Sequence, residues 1–372
     1  MAITRITNIA STIPDGSIAN DKLSDIVNFK NIIINGDMSI AQRGTSSTGI
    51  TTSGYYTVDR YLFEIGAAGT WTQTQDTDVP SGQGFANSIK LACTTADPSL
   101  GSGDICHLHQ RIDGQNLQYI KKGTANAESL TLSFWVKSNK TGTYIAEFRE
   151  RDNNRTISKS YTISVADTWE KKTLTFAGDT SGVLGNDNGN SLQINFWLAA
   201  GANYSSGTLQ TSWGTLVAAN RAVGQVNLAD STSNYINITG VQLEAGTTAS
   251  DFEFLPVDVN LRRCQRYYHL VASGSGVNIN FISYNTASNT TSRVFLPTTM
   301  RANPSLDITT GTGYYRAYRG GGSDDIDAFL LDTSRPNYMY FYDASTSSGT
   351  TGYSGQLNTN NANSYLAADA EL

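Results

Sequence analysis

The chain is 372 residues long, which is enough for two or three domains and for a sizeable buried core. Only 16% of its residues are charged, the net charge is −6, and glycine, serine, threonine and asparagine are abundant. An acidic chain lacks the basic surface that phosphate backbones and anionic membranes attract, so the composition argues against nucleic acid or a membrane surface as a partner. No apolar run reaches transmembrane length and no secretory signal is visible at Met1–Ile6, so we expect folding in a cytoplasm without membrane insertion.

Residues 1–30 form the first of three segments. Its apolar residues are sparse and are separated by polar and turn residues such as Pro14-Asp15-Gly16, so the segment cannot bury them by itself. We predict an arm that docks on a larger assembly; the alternative is a flexible terminus without a role. The apolar residues predicted to dock are Ile3, Ile6, Ile9, Ile13, Ile18 and Leu23.

The sequence of residues 31–255 predicts a series of β-strands. Apolar and polar residues alternate over Leu130–Lys137, Leu192–Leu198 and Trp169–Phe176, and this period of two predicts half-buried strands. In the second stretch the residues predicted to face outward are Gln193, Asn195 and Trp197. The alternation slips by one residue at Gly240, which predicts a β-bulge. Many short strands without intervening helices favour an all-β sandwich or jelly roll.

Residues 256–372 are predicted to form a short helix followed by a smaller C-terminal β domain. Pro256 suits a helix start, and Leu261, Cys264 and Tyr268 recur at helical spacing. The three cysteines, Cys93, Cys106 and Cys264, make no even disulfide framework, so we predict free buried thiols.

Several stretches of this sequence resemble a widespread family of phage tail-fibre and receptor-binding virion proteins. The matching stretches are Asn31–Gly44, Asp59–Tyr61, Ser133–Lys137, Trp169–Asp179, Ile238–Gly246, Cys264–Tyr268 and Asp369–Leu372. The resemblance covers residues 31–268 well and the C-terminal part loosely. It implies a jelly roll similar to carbohydrate-binding modules for residues 31–255, a homotrimer, and docking of residues 1–30 on other virion proteins.

The function expected from this resemblance is adhesion of a tailed bacteriophage to bacterial surface glycan, with residues 256–372 as the receptor-contacting tip. The protein would then be a tail fibre on the virion surface, assembled in the host cytoplasm. A head fibre or capsid decoration protein is the main alternative, because it differs only in what the arm docks on. A capsule depolymerase is a third reading, which the sequence favours less.

Catalytic and metal-binding signals are weak in the sequence. The chain has three histidines, none in a nucleophile signature, so we expect no enzymatic activity and no organic cofactor. His107 and His109 would share one face of a strand, either as metal ligands or as ordinary surface or interface residues. A structural calcium ion is kept open, with Asp37 and Glu244 as candidate ligands expected on the first and last strands of the jelly roll.

Aromatic rings on a solvent-facing strand suit glycan, because the apolar faces of sugars stack on them while polar side chains bind the hydroxyl groups. The C-terminal candidates for receptor or glycan binding are Tyr314, Tyr315, Arg316, Tyr318, Arg319, Tyr338, Tyr340 and Tyr342. In a trimer the same rings could fill the interface between subunits, where tyrosine is enriched, and the sequence leaves both roles open.

Overall fold

Short antiparallel strands account for most of the regular structure, as the wealth of threonine, tyrosine and turn-forming glycine requires. The structure is a computed structural model that describes residues 29–343 and 347–372. The predicted docking residues of the arm therefore lie outside the described residues. None of the helices in those residues has the length and apolar character of a membrane-spanning segment.

The first thirteen strands build an N-terminal sandwich of two sheets. They are β1 (Ser46–Ile50), β2 (Gly54–Tyr55), β3 (Leu62–Gly66), β4 (Thr70–Asp76), β5 (Ser88–Thr95), β6 (Ile105–Asp113), β7 (Leu130–Ser138), β8 (Gly142–Glu150), β9 (Arg155–Ile163), β10 (Glu170–Phe176), β11 (Asn190–Ala200), β12 (Gly214–Thr215) and β13 (Tyr235–Ala245). Sheet A has the order β1-β4-β5-β13-β7-β10, and sheet B has the order β12-β9-β8-β11-β6-β3-β2. One apolar core, with residues from Ile32 to Leu243, fills the space between them. The all-β sandwich predicted from the sequence is confirmed.

Short helices interrupt the strands. The α-helices are α1 (Ala202–Ser205) and α2 (Val257–Gln265), and the 3-10 turns are Gly114–Asn116, Gln118–Ile120, Ala218–Asn220 and Leu228–Asp230. Helix α2 begins directly after Pro256, as predicted, because proline lacks the N–H that a first helical turn leaves unpaired. The three cysteines are free and buried, also as predicted.

The predicted alternation on β11 is confirmed for one face and wrong for the other. Leu192, Ile194, Phe196 and Leu198 lie in the core. The opposite residues, Gln193, Asn195 and Trp197, are also buried, with at most 2% of their surface exposed. Residues 201–227 cross this outer face of sheet B, so that Trp197 packs with Ile145 and Ala222 in a second apolar cluster. The alternation of apolar and polar residues along a strand does not show whether a loop covers its outer face.

The predicted bulge at Gly240 is confirmed. The pairing of β13 with β7 shifts between Thr239 and Gln242, and Gly240 has a φ of 61°. A side chain here would meet the ring of Phe85 at 2.6 Å, so both the backbone and the space require glycine.

The remaining strands build a C-terminal sandwich. They are β14 (Tyr268–Ser273), β15 (Asn278–Thr286), β16 (Asn289–Phe295), β17 (Ser305–Ile308), β18 (Tyr315–Arg319), β19 (Gly322–Ile326), β20 (Leu330–Arg335), β21 (Tyr338–Asp343), β22 (Ser354–Thr359) and β23 (Tyr365–Asp369). Sheet C has the order β14-β23-β17, and sheet D has the order β19-β18-β22-β15-β16-β21-β20. Their facing sides share a separate core that runs from Ala272 to Ala370.

Candidate functional site

The loop 31–44 binds the end of the N-terminal sandwich through buried amides. Asn31 Nδ2 donates to the carbonyl of Val241 at 3.1 Å, and Asn31 Oδ1 accepts from the N–H of Leu243 at 3.0 Å. Asn35 Nδ2 donates to the carbonyl of Asp59 at 3.1 Å. These bonds satisfy backbone groups that the irregular loop leaves without sheet partners.

Two arginines join this loop region to the C-terminal residues. Arg60 is 1% exposed, forms an ion pair with Glu371, and stacks its guanidinium carbon 3.4 Å from the centre of the Tyr267 ring. Arg43 stacks 3.5 Å from the centre of the Tyr268 ring and lies 3.5 Å from Glu371. Arg60 therefore has its partners in residues far along the chain, whereas its neighbour Asp59 is bound by Gln42.

A buried aspartate completes this junction. Asp113 accepts hydrogen bonds from the hydroxyl of Tyr267 and, at 2.9 Å, from Nη2 of Arg266. Burial raises the pKa of Asp113, but these two donors outweigh it and hold the pKa below its ordinary value. Most of the stretches that carry the family resemblance outside the strands meet here. They form a structural junction between the two sandwiches.

The junction contains a carboxylate whose burial has a measurable consequence. Burial raises the pKa of Asp59 to about 6, against the hydrogen bond that Gln42 N–H donates at 2.9 Å. An unfolded aspartate titrates near pH ~3.9, so the folded chain binds more protons between pH about 4 and about 6. We therefore expect the contribution of Asp59 to the free energy of unfolding to decrease as the pH rises through this window.

Urea denaturation at half-unit steps from pH 4 to pH 7 tests this expectation. The slope of stability against pH should be more positive in Asp59→Asn than in the wild type over the same window, because the negative contribution of Asp59 is removed. Asp332→Asn is the matched control, because it makes the same substitution at an exposed carboxyl group. An identical slope in Asp59→Asn and the wild type would contradict the assignment.

Two clefts flank the junction. The first, of about 320 Å³, is lined by Gln42, Arg43, Tyr55, Tyr56, Tyr268, Leu270, Ser273, Asp307, Tyr365 and Asp369. The second, of about 300 Å³, is lined by Phe29, Asn31, Ile32, Ile34, Gln110, Arg111, Ile112, Asn116, Tyr119, Arg263, Arg266 and Tyr267. Their walls share Arg43, Tyr267 and Tyr268 with the junction, so both clefts follow from the way the two sandwiches meet.

The outer face of sheet D carries a row of aromatic and polar side chains. Directly paired residues of antiparallel strands point to the same side of a sheet. Tyr318 pairs with Gln356, which pairs with Phe281. The register between β15 and β16 continues the row to Arg293, which pairs with Tyr340 on β21. The row thus crosses five neighbouring strands.

Three rings in and beside this row are open to solvent, and Tyr338 and Tyr340 are half-buried. Phe281 is 75% exposed, Phe295 is 68% exposed and Tyr318 is 43% exposed. Phe295 meets Tyr338 edge to face at 6.4 Å between ring centres. The guanidinium of Arg293 lies 5.0 Å from the ring centre of Tyr338 and 5.3 Å from that of Tyr340. We call the set Phe281, Arg293, Phe295, Tyr318, Tyr338 and Tyr340 the aromatic platform.

Five of the eight predicted C-terminal residues lie on this outer face. They are Arg316, Tyr318, Tyr338, Tyr340 and Tyr342. On β21 the three tyrosines alternate with Met339 and Phe341, which point into the core. The role of these residues in binding stays a prediction.

The other three predicted residues point elsewhere. Tyr315 is 0% exposed and its hydroxyl donates to the carbonyls of Thr309 and Tyr365, so its prediction as a solvent-facing ring is wrong. Tyr314 is partly buried and packs against the core of the C-terminal sandwich. Successive residues of a strand face opposite sides of a sheet, which explains why Tyr315 and Arg316 separate. Tyr314 precedes β18, so its direction does not follow this alternation.

Arg319 is held by a buried aspartate. Its Nε lies 3.1 Å from Asp324 Oδ2, which also accepts from the hydroxyl of Tyr284 at 2.6 Å. Burial raises the pKa of Asp324, but the bonds from Arg319, Tyr284 and Ser348 outweigh it and lower the pKa to about 2. Arg319 therefore stabilises the end of sheet D and is not available on the platform.

Sequence reasoning missed Phe281, Phe295 and Arg293. The available signal was an apolar ring next to a core residue on the same strand, as in Phe281-Ile282 and Val294-Phe295. Such a ring breaks the alternation and must face solvent if its neighbour faces the core.

The covered outer face of sheet B holds a fully buried ion pair. Glu147 is 0% exposed, and Nε and Nη2 of Arg221 donate to its two oxygens at 2.7 and 2.9 Å. Asn195, Trp197 and Thr156 donate to the same carboxylate at 2.8, 2.9 and 2.9 Å. Burial raises the pKa of Glu147, but Arg221 and the other donors outweigh it and lower the pKa below its ordinary value.

Beside this pair lie the two histidines of β6. His107 and His109 share one face, as predicted, but they are 1% and 0% exposed, so the alternative of surface residues is wrong for this chain. Their Nδ1 atoms are 3.2 Å apart. Burial, helped by nearby arginines such as Arg221, lowers the pKa of both rings well below the ordinary value, so both are neutral at pH 7.

The candidate calcium ligands have protein partners. Asp37 lies in a turn and not in a strand, so its predicted place on a first strand is wrong; its Oδ1 accepts from Ser39 and Asn260, each at 3.1 Å. Glu244 lies on β13 as predicted, and its Oε2 accepts from Gln242 at 2.9 Å and from Ser250 N–H at 3.0 Å.

No protein-family model matches the sequence, and no curated protein matches it either. Solved structures do match the fold of part of the chain. A tailspike protein 4 enzymatically active domain from bacteriophage CBA120 is 17% identical, with a TM-score of 0.30, over 58% of this chain and 22% of that one. This chain thus spans about a fifth of the length of that tailspike domain.

Two further solved structures are covered almost completely. A putative sugar binding protein from Bacteroides thetaiotaomicron is 13% identical, with a TM-score of 0.32, over 58% of this chain and 99% of that one. A family 11 carbohydrate-binding module from Clostridium thermocellum is 15% identical, with a TM-score of 0.27, over 54% of this chain and 96% of that one. At such identities and scores these likenesses do not indicate what this chain binds, so its function has to be argued from its own residues.

Proposed function

We propose that this chain is a non-enzymatic virion surface protein, a tail fibre or receptor-binding protein of a tailed bacteriophage that adheres to bacterial surface glycan through the aromatic platform. The observation that carries the proposal is the exposure of Phe281 and Phe295, 75% and 68%, in the middle of a regular sheet. Surface apolar groups gathered in one patch usually mark a binding surface. The sequence resemblance supplies the virion context.

The chemistry of the platform suits a sugar chain. Ring faces accept the apolar C–H faces of sugars, and a flat sheet presents several rings along one extended ligand. Arg293, Gln356 and Arg316 lie in or next to the same face and supply donors and acceptors for hydroxyl groups. A flat surface gives each chain a weak contact. Assembly as a homotrimer, as the family resemblance implies, would multiply it through effective concentration.

Cell-binding measurements with Phe281→Ala/Tyr340→Ala test the proposal. The labelled wild-type protein should bind host bacteria and bind less after surface polysaccharide is removed. Loss of two ring contacts worth about 1 kcal/mol each should weaken binding by about thirtyfold per chain. Tyr119→Ala is the control, because Tyr119 is an exposed ring of the N-terminal sandwich. It should bind like the wild type.

Three outcomes would contradict the proposal. A folded wild-type protein that binds no host cell would favour a head fibre or capsid decoration protein. A trimer that becomes a monomer in Phe281→Ala/Tyr340→Ala would assign the platform to the interface between subunits. Halos of degraded capsule around spots of the pure protein would indicate a depolymerase.

A further inference from the structure

We propose that Glu64, His107 and His109 bind a divalent transition-metal ion of the zinc class. Glu64 on β3 pairs directly with His107 on β6, so the two side chains share the outer face of sheet B. His109, two residues further along β6, lies on that face as well. One ligand atom from each of the three residues lies within 4.8 Å of the others. The sheet register alone therefore brings the donors together.

The distances fit a shared ion better than they fit hydrogen bonds. Glu64 Oε2 lies 3.6 Å from His107 Nε2 and 3.7 Å from His109 Nδ1. These separations exceed the roughly 2.7–3.2 Å of a hydrogen bond. Two ligands at about 2.1 Å from a tetrahedral zinc ion are separated by about 3.4 Å, so small side-chain movements would place an ion within reach of all three.

One atom of this cluster lacks a hydrogen-bond partner among the described residues. His109 Nε2 is buried and makes no hydrogen bond in the described part of the chain. Within the same residues, the Glu64 carboxylate lies within 4 Å of the two imidazoles, and its charge also acts on Arg149 and Arg221. Buried polar groups are normally satisfied, and each exception calls for an explanation. A bound cation would pair with the carboxylate and would accept a lone pair from His107 Nε2 and from His109 Nδ1, the ring atoms nearest Glu64. The His109 bond to the ion would replace the 3.2 Å contact between the two Nδ1 atoms.

The surroundings set the expected strength of binding. Glu64 is 31% exposed at its side chain, so an ion and a water ligand can enter from solvent on that side. The positive charges of Arg111, Arg149 and Arg221 act on the histidines, although Glu147 neutralises Arg221. The two remaining arginines oppose a cation, so we expect micromolar affinity that depends strongly on the negative charge of Glu64.

Calorimetric titration of the chelator-treated full chain with Zn²⁺ tests the site. We expect one saturable Zn²⁺ per chain, a higher melting temperature with the metal, and visible absorption of a tetrahedral Co²⁺ complex. Glu64→Gln keeps the shape of the side chain and should lower the affinity by at least about tenfold. His269→Gln is the control, because His269 lies on β14 in the other sandwich and should bind Zn²⁺ like the wild type.

His109→Gln provides a second test of the ligand set and should lower the affinity as Glu64→Gln does. If His109→Gln fails to fold, Glu64→Gln decides alone, because Glu64 is the least buried of the three residues. The absence of saturable Zn²⁺ binding, or equal affinity in Glu64→Gln and the wild type, overturns the proposal. The result does not depend on adhesion, since no platform residue takes part.

Discussion

Alanine in place of Glu147 is expected to lower the free energy of unfolding by about 3–5 kcal/mol, because the change leaves the charge of Arg221 buried without a partner. Arg221 is only 5% exposed at its side chain, and its Nε and Nη2 both donate to Glu147. Asn195, Trp197 and Thr156 lose the same acceptor. Urea denaturation followed by tryptophan fluorescence measures the effect, and Trp197, one of five tryptophans in the chain, lies on this face.

The control for Glu147 is an exposed ion pair of similar chemistry. Glu128 pairs with Lys121 at 2.8 Å, and the two side chains are 38% and 54% exposed. Glu128→Ala should therefore change the free energy of unfolding by less than about 1 kcal/mol. Replacing both Glu147 and Arg221 by methionine should restore much of the loss, because no charge is then stranded. Equal effects of Glu147→Ala and Glu128→Ala would refute the argument.

The second large effect is expected at the junction. Arg60→Ala should lower the free energy of unfolding by about 3–5 kcal/mol, because Glu371 then keeps only the more distant Arg43. The ring contact with Tyr267 is lost as well. Since Arg60 and Glu371 belong to different sandwiches, we also expect the two sandwiches to unfold less cooperatively.

Differential scanning calorimetry checks both parts of this expectation. The wild type should melt at a higher temperature than Arg60→Ala, and the variant should show a broadened or divided transition. Arg335→Ala is the control, because Arg335 is exposed on β20 and should shift stability by no more than about 0.5 kcal/mol. A variant that melts as one sharp transition at the wild-type temperature would show that the junction does not couple the sandwiches.

Features that depend on residues close together in the sequence were predicted correctly, and those that depend on distant residues were not. The bulge at Gly240, the helix after Pro256 and the inward residues of β11 follow from spacing within about ten residues, and all were predicted. The burial of Trp197 depends on residues 201–227, which fold back over the sheet. No periodicity in β11 encodes such a cover, so the outward assignment was wrong.

The candidate sites show the same limit. The tyrosines of β21 were found because they alternate with core residues along one strand. The row from Tyr318 to Tyr340 crosses strands whose order in sheet D differs from their order in the chain. Only the pairing of the strands in the structure shows that Phe281 lies beside these rings. Glu64, 43 residues before His107, is placed beside it in the same way.

The position of β23 has a consequence for synthesis on the ribosome. Every core residue of the N-terminal sandwich has been translated once residue 243 is complete, so this sandwich can fold while the rest is still being made. Sheet C, in contrast, has β23 (Tyr365–Asp369) as its central strand. The ion pair of Arg60 with Glu371 also forms only after the last residues have been translated. For more than 120 residues of translation after residue 243, Arg60 lacks its partner Glu371 and lies on a surface that the C-terminal sandwich has not yet covered. Premature termination before residue 365 would leave β14 and β17 without their shared partner and expose that surface permanently, which would make the shortened chain prone to aggregation.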